Sequence, residues 1–496
     1  KAQKRGAKII VLDPRQNQIG KWADVYYSFH PGADVAIFNG LMNIIISEGL
    51  ADQAYVAERT EGFEELKAAV AEYTPEVVEE VSGIPAEGLR SVARLYATGK
   101  PSAIIYAMGI TQHTTGVDNV KSTANLAMLC GNMGVPGGGV NPLRGQNNVQ
   151  GACDMGGLPN VYSGYQTVTS PDIQKKFADA WGSTSSTAVG LTVVEMINAA
   201  GEGKVRALYI MGENPMVADP DINHARHCLE KAEFIVVQDI FLSETAQLAH
   251  VVLPGVSFAE KDGTFTNTER RVQRIRKAIE PVGEAKPDWK IISLLAQKMG
   301  STGFQYGSPQ DVFVEIANLT PSYAGMSYER LEELGGLQWP CPNAEHPGTA
   351  YLHKGKFTRG LGKFHPLTYK KPAEQADEDF PFTLTTGRLM FHFHTGTMTR
   401  RSKKLASEVP EAYIEIHPDD AKQIGLNGHK RVKVSSRRGE IELGVRVTDT
   451  IKPGVVFIPF HFAEAAANTL TNAALDPVAK IPEYKVCAVK IELLKA

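Results

Sequence analysis

Residues 207–215 read ALYIMGENP and residues 234–239 read FIVVQD. In each, an apolar run without alternation stops abruptly at a polar or glycine-bearing end. A strand buried in a parallel sheet has this pattern, because both of its faces are covered, whereas a half-exposed antiparallel strand alternates. The same pattern recurs at 7–12 (AKIIVL, then Asp13-Pro14-Arg15), 102–107 (SAIIYA, then Met108-Gly109) and 250–253 (HVVL, then Pro254-Gly255). Helix-length segments at 35–46, 88–97 and 123–129 separate the strands. The pattern predicts two tandem doubly wound α/β units, and the matching endings Met108-Gly109 and Met211-Gly212 echo one another.

Beyond about residue 371 the period changes. RVKVS (431–435), EIELGVRV (440–447) and GVVFIP (454–459) are short strands with a turn at Arg437-Arg438-Gly439, which predicts a small closed β domain. Between the two patterns, 260–370 reads as irregular, with helices at 288–299 and 309–319. The Pro/Gly/His-rich stretch 340–366 reads as a surface loop. The expected division is 1–146 (α/β), 147–262 (α/β), 263–370 (connecting) and 371–496 (β-barrel).

Composition excludes several function classes. The 496 residues carry 52 basic and 55 acidic side chains, a net charge of −3, so there is no basic excess for nucleic acid or an acidic membrane surface. No apolar run reaches the length of a membrane-spanning helix. The five cysteines (Cys130, Cys153, Cys228, Cys341, Cys487) form no C-x-x-C pair, so no local motif holds an iron–sulfur cluster or a structural zinc. Their sparseness suits a reducing, cytoplasmic compartment. The opening KAQKRG leads straight into a strand, and the chain reads as starting inside a domain.

In doubly wound sheets ligands bind at the carboxyl ends of the strands. Those ends here carry Asp13, Arg15, 108–112, 212–214, Gln238 and Asp239. Acid-plus-amide pairs suit a purine edge, while arginine and glycine N–H groups suit phosphates. The usual dinucleotide and P-loop fingerprints are missing. The densest segment is 134–157, GVPGGGVNPLRGQNNVQGACDMGG, with eight glycines in 24 residues. Such a stretch reads as loop, not helix or strand. Its one cation, Arg144, lies among Gln146, Asn147, Asn148 and Gln150, an arrangement open to a small anion, a phosphate or a structural tie. The segment 260–273 (EKDGTFTNTERRVQ) reads as a charged surface loop. His392 and His394, placed on one face of a strand, lack a third metal ligand, and His224 and His227 read as a helix-surface pair.

These motifs together carry a resemblance. VLDPR, AMGITQH, PGGGVNPLRGQNNVQGACDMG, MGENP, VVQD, GTFTNTERRVQ, TTGR…HTGTMT and IPEYKVCAV are similar to the large subunit of molybdopterin-dependent formate dehydrogenases. The wider family is that of the bis-molybdopterin guanine dinucleotide oxidoreductases, with molybdenum or tungsten. The resemblance implies reversible oxidation of formate to CO2, with Arg144 holding the formate carboxylate. It places Asp13, Arg15, Gly32, Asp34, Met108, Gly109 and Gln112 on one dinucleotide, and Gly212, Glu213, Asn214, Gln238 and Asp239 on the other. Gly145 and Gln146 line the same centre. Arg388, His392, His394, Met398, Thr399, Asn468, Tyr484 and Lys485 close over both from a six-stranded barrel. No residue of this chain is implied as a metal ligand. The family's four-cysteine 4Fe-4S segment and its selenocysteine or cysteine metal ligand have no counterpart here. They are expected on an amino-terminal portion or a separate chain, with iron–sulfur electron-transfer subunits as further partners. A nitrate-type oxidoreductase and a non-catalytic scaffold subunit are the competing readings.

Overall fold

The computed structural model describes residues 1–494. The chain is mixed α/β with a closed six-stranded barrel at its carboxyl end. It divides into two compact units, one of residues 1–142, 217–223 and 351 onward, the other of 143–216 and 224–350.

The first unit is organised around helix Asp34–Ser47, whose side chains are apolar on nearly every face. Val35, Ala36, Ile37, Leu41, Met42, Ile44 and Ile45 are all buried, as an enclosed helix requires. Helices Pro75–Ser82, Ala86–Thr98 and Gly116–Leu129 pack round it. Gly40 permits the closest approach, since a Cβ there would lie 2.7 Å from Val78 Cγ2. Two parallel strand pairs border this core: Ile10–Leu12 with Val25–Tyr27, and Ala103–Tyr106 with Gly139–Pro142. The stretch 340–366 is not simply surface loop. Phe364 is 1% exposed and, with Phe357, fills the helical core, while Gly362–Lys363 pairs in parallel with Thr60–Glu61. Two aromatic side chains outweigh the loop-like composition around them.

The barrel closes in the order Phe382–Gly387, Val455–Pro459, Tyr413–Ile416, Glu440–Val447, Arg431–Ser435, Cys487–Leu493, then back to the first. Val432 and Val434 are buried in alternation with Arg431 and Lys433, and Ile441 and Leu443 alternate likewise with Glu440 and Glu442 one strand over. The turn at Arg437-Arg438-Gly439 falls where the sequence put it.

The second unit holds a parallel sheet of three strands, Ala207–Met211, Phe234–Asp239 and Val251–Pro254, with Phe234–Asp239 in the middle. Helix Ile222–Glu230 carries His224 and His227, both exposed, as the sequence suggested. Residues 260–370 are more regular than expected. Gly263–Thr266 pairs antiparallel with Arg271–Ile275, which pairs with Leu337–Gln338, over a core of Val272, Phe313, Tyr323, Leu331 and Leu337. So 260–273 is a hairpin rather than a surface loop. Coverage of the parallel strands on both faces is not observed either: Ile105 is 64% exposed, and Tyr209 and Met211 are also open. These sheets have only two or three strands, and exposure alternates along Ala103–Tyr106 and Ala207–Met211, so every second side chain there is open. Among the described residues no helix is long and apolar enough to cross a membrane.

Candidate cofactor cradle and anion site

In the first unit the strand end Asp13-Pro14-Arg15 and the start of helix Asp34–Ser47 bring together groups far apart in sequence. Gly32 precedes that helix with φ +90°, and a Cβ there would lie 2.6 Å from Pro372 Cγ, so only glycine fits. Asp34 is 4% exposed, and its Oδ2 has no hydrogen-bond partner. Burial lifts its pKa to about 7 despite the favourable helix start. His113, 3% exposed, has Nε2 3.9 Å from that oxygen. Nε2 also donates to Gly109 O at 2.9 Å, leaving Nδ1 buried without a partner. Burial drives the imidazole pKa down to about 4, so the ring is neutral.

Cations complete this cradle. Lys485 Nζ donates to Thr386 O at 2.7 Å, and burial lowers its pKa to about 8, with Arg388 adding to the effect. Arg388 is half-buried over the Phe460 ring. Neither cation has a carboxylate at ion-pair distance among the described residues. Cations partly withdrawn from water without counter-ions are costly unless a ligand supplies the charge. Asp13, its pKa raised by burial, accepts from Arg15 N at 2.9 Å. Glu483, also buried, accepts from Thr114 N and Oγ1 and from Ala373 N, tying the carboxyl-terminal segment to the turn after His113.

Several expected contact residues have their side chains committed to the protein. Arg15 grips Glu415 through two bonds of 2.5 and 2.7 Å and lies over Phe457. Asn468 donates to Val217 O and Ala218 O at 3.0 and 2.9 Å. Thr399 Oγ1 accepts from Phe393 N at 3.1 Å. His392 and His394 lie in the loop after strand Phe382–Gly387, not on a strand. Buried His392 reaches Val409 O at 2.8 Å, and His394 has φ +47°. His461 staples this loop: Nδ1 donates to His394 O, and Nε2 accepts from Leu389 N at 2.8 Å. Burial holds that imidazole near pKa 4, neutral as the two bonds require. Met108 and Gly109 are open, and a Cβ on Gly109 would meet nothing. Gln112 is half-buried one turn further, Met398 is exposed and Tyr484 is half-buried.

In the second unit the sheet ends carry the other expected group. Gly212 has φ +62°, with open space where a Cβ would be, and donates to Gln238 O at 2.9 Å. Glu213 accepts from Asn214 N, while buried Asn214 accepts from Thr245 N and Oγ1 and donates to Glu244. Gln238, 1% exposed, accepts from the Tyr209 hydroxyl and donates to Asp288 Oδ1 at 2.7 Å. Asp239 ends that strand and receives Ile240 N at 2.6 Å.

The glycine-rich segment is not wholly loop. It contains strand Gly139–Pro142, opened by Gly139 at φ +91°, and helix Val149–Asp154. Pairing to Ala103–Tyr106 stabilises the strand, and in the helix Gly151 lets the Asn148 side chain pass where a Cβ would lie 2.1 Å from its Oδ1. Arg144 precedes the helix on an exposed stretch with Gly145 and half-buried Gln146. Its backbone N donates to Thr268 Oγ1 at 3.3 Å, and Asn148 Oδ1 accepts from Thr266 N at 2.9 Å. The loop is thus stapled to the TNTERR hairpin. Arg144 Nε donates to Gln150 Oε1 at 3.0 Å, while its two terminal amino groups make no hydrogen bond among the described residues. A planar fork held from behind and open in front suits a small carboxylate-like anion.

Sequence reasoning overlooked His113, Glu483, Glu415, His461 and Asp154 as parts of these sites. His113 lies within the quoted AMGITQH, but its importance depends on Asp34, which only the fold brings near. Among the described residues no cluster of three or more His, Cys, Asp and Glu could hold a metal.

The family model described as Molybdopterin oxidoreductase matches residues 1–298, and that described as Molydopterin dinucleotide binding domain matches residues 382–488. The chain is 54% identical over 495 residues to F420-dependent formate dehydrogenase 1 subunit alpha of Methanococcus maripaludis, covering 99% of this chain and 73% of that protein. It is 42% identical to formate dehydrogenase H of Escherichia coli, covering 99% of this chain and 69% of the relative. Among solved structures, acetylene hydratase from Pelobacter acetylenicus superposes with a TM-score of 0.75 at 23% identity, over 99% of this chain and 75% of that one, a likeness of fold. Matched domains at both ends, a cradle of unpaired buried charge and close relatives along the whole length lead to one conclusion: this chain belongs to the molybdopterin oxidoreductase family.

Proposed function

We propose that the chain is the main part of a catalytic subunit that oxidises formate to CO2, releasing one proton and two electrons, and that the reaction runs in both directions. The observation that carries this reading is the Arg144 guanidinium, fixed through Nε and open at both terminal amino groups. Formate is a planar monoanion, and such a fork binds its two oxygens while leaving the C–H directed away from the protein cation. Near relatives named formate dehydrogenases support the same choice.

The cradle fits a pterin guanine dinucleotide carrying molybdenum or tungsten, which when bound supplies the two-electron redox chemistry. Arg388 and Lys485 offer charge for phosphates, and the unpartnered Asp34 Oδ2 and His113 Nδ1 offer acceptors for purine or pterin N–H groups. Segments 1–146 and 147–262 each take one dinucleotide arm, at the strand ends named above. In this reading Arg15, Asn214, Gln238 and Asn468 act by holding the walls, since their side chains are bonded to protein. Electrons leave to iron–sulfur clusters outside this chain, on an amino-terminal portion or on partner subunits. Five cysteines without a disulfide among them suit a cytoplasmic setting.

The test is metal and guanine analysis of the assembled enzyme together with formate-dependent dye reduction. About one molybdenum or tungsten and two guanines per chain, with activity, are expected. Neither metal nor pterin would make the chain a scaffold, and cofactor with nitrate but not formate turnover would move the substrate.

A further inference from the structure

Behind Arg144 lies a buried acid that the proposed reaction does not use. Asp154, 1% exposed, ends helix Val149–Asp154. Its Oδ1 accepts from Gln150 Nε2 at 2.8 Å and from the Tyr165 hydroxyl at 2.9 Å, and its Oδ2 accepts from the Tyr323 hydroxyl at 2.6 Å. Gln150 Nε2 also contacts the Tyr165 hydroxyl at 3.0 Å, and Tyr323 continues to Thr266 Oγ1 at 3.1 Å. No basic side chain lies at ion-pair distance from Asp154 among the described residues. A carboxylate enclosed this way, with neutral hydrogen-bond donors and only a longer-range attraction to Arg270, is a poor device for stability.

The network has a direction. Both Gln150 amide hydrogens face acceptors on the Asp154 side, so its Oε1 must face outward, where it accepts from Arg144 Nε at 3.0 Å. Burial and the Asp154 charge both raise the Tyr165 and Tyr323 pKa values, so the hydroxyls stay protonated donors. The backbone around the network is also held in unusual conformations: Asn148, Tyr165 and Arg270 all have φ between +60° and +65°. Left-handed non-glycine residues persist only where surrounding contacts over-determine them.

We propose that Asp154 is a positioning residue for Arg144: through Gln150 it occupies the guanidinium Nε and leaves only the terminal pair of amino groups for the substrate anion. The anion is therefore bound end-on by the two terminal groups, and the side-on fork through Nε is closed to it. Without Asp154 the Gln150 amide can flip, presenting Nε2–H to Nε–H, and the guanidinium is released to rotate. The inference rests on Arg144 being the formate-binding residue, so its test must separate the two ideas.

The experiment compares Asp154→Asn, Gln150→Leu, Tyr323→Phe and Arg144→Lys in the assembled enzyme. Metal and guanine content, formate KM and kcat, and the inhibition constant of nitrate as a competing monoanion are measured for each. Asp154→Asn and Gln150→Leu should each raise the formate KM and the nitrate constant about 5- to 30-fold with cofactor content intact. The double variant should be no worse than the poorer single one, because the two act in series. Cofactor loss or a lowered kcat at unchanged KM would overturn the positioning role and leave a structural one. If Asp154→Asn does not fold, Gln150→Leu and Tyr323→Phe decide: unchanged anion constants in both overturn the proposal. If Arg144→Lys leaves the anion constants unchanged, the formate-site reading itself fails. If only Arg144→Lys raises them, that reading stands and the Asp154 inference falls.

Discussion

Replacing Asp34 with Asn should make the cofactor-free protein more stable and the loaded protein poorer in cofactor. Asp34 is buried, its Oδ2 lacks a partner, and its pKa is raised to about 7. A carboxyl whose folded value exceeds its unfolded one takes up a proton on folding. Its favourable balance is complete below the unfolded value near 4 and is lost as pH rises through 7. Once the pH exceeds both values the loss amounts to about 4 kcal/mol, and about 3 kcal/mol of it develops between pH 5 and 8.5. His113 opposes this slope, since its lowered pKa costs stability as pH falls from 6.5 towards 4, but that contribution is common to both proteins. The assay is denaturant unfolding of cofactor-free wild type and Asp34→Asn at pH 5, 7 and 8.5. The variant's advantage should grow with pH by about 3 kcal/mol. Guanine content after expression under loading conditions should meanwhile fall, because the oxygen kept bare for a ligand has been replaced. A pH-independent difference, or a variant less stable at pH 8.5, would refute the reasoning.

Arg144→Lys retains charge but loses the planar fork and the Nε bond to Gln150, so formate kcat/KM should fall roughly 30- to 150-fold with cofactor content unchanged in metal assays. Replacing both Gln238 and Asp239 with Ala frees Tyr209 and Asp288 from their partner and removes a strand-end carboxylate; guanine content should drop measurably, and full occupancy would remove these residues from the dinucleotide site. Glu415→Ala leaves half-buried Arg15 unpaired against the barrel and should destabilise the first unit by about 2–4 kcal/mol in denaturant titration, whereas Arg15 and Glu415 replaced together by Met and Leu should recover most of that loss. Gly40→Val should prevent close packing of Asp34–Ser47 on Pro75–Ser82, seen as weak expression or loss of the cooperative unfolding transition.

Period and punctuation made the parallel strands, the main helices and the barrel strands legible, because an apolar run or an alternation reports locally how a segment is solvated. Residues 34–47, 234–239 and 431–435 are examples. The same logic failed where a few large side chains outweighed composition, as with Phe357 and Phe364 in a Pro/Gly/His-rich stretch. It failed again in the glycine-rich segment, where strand pairing and the Asn148–Gly151 approach stabilise elements that glycine alone disfavours.

For the sites, residue order alone shows which residue types stand at the strand ends and that Arg144 is the only cation of its segment. Tertiary structure alone decided which polar groups are left without partners. Asp34 and His113 become an unsatisfied pair only when Gly116–Leu129 packs beside Asp34–Ser47, and Arg144 becomes an oriented fork only when Asp154 sets the Gln150 amide. Whether a buried polar atom is satisfied depends on neighbours distant in the chain. Residue type and spacing carry no record of those distances, so the sequence could name the candidates while the fold assigned their roles.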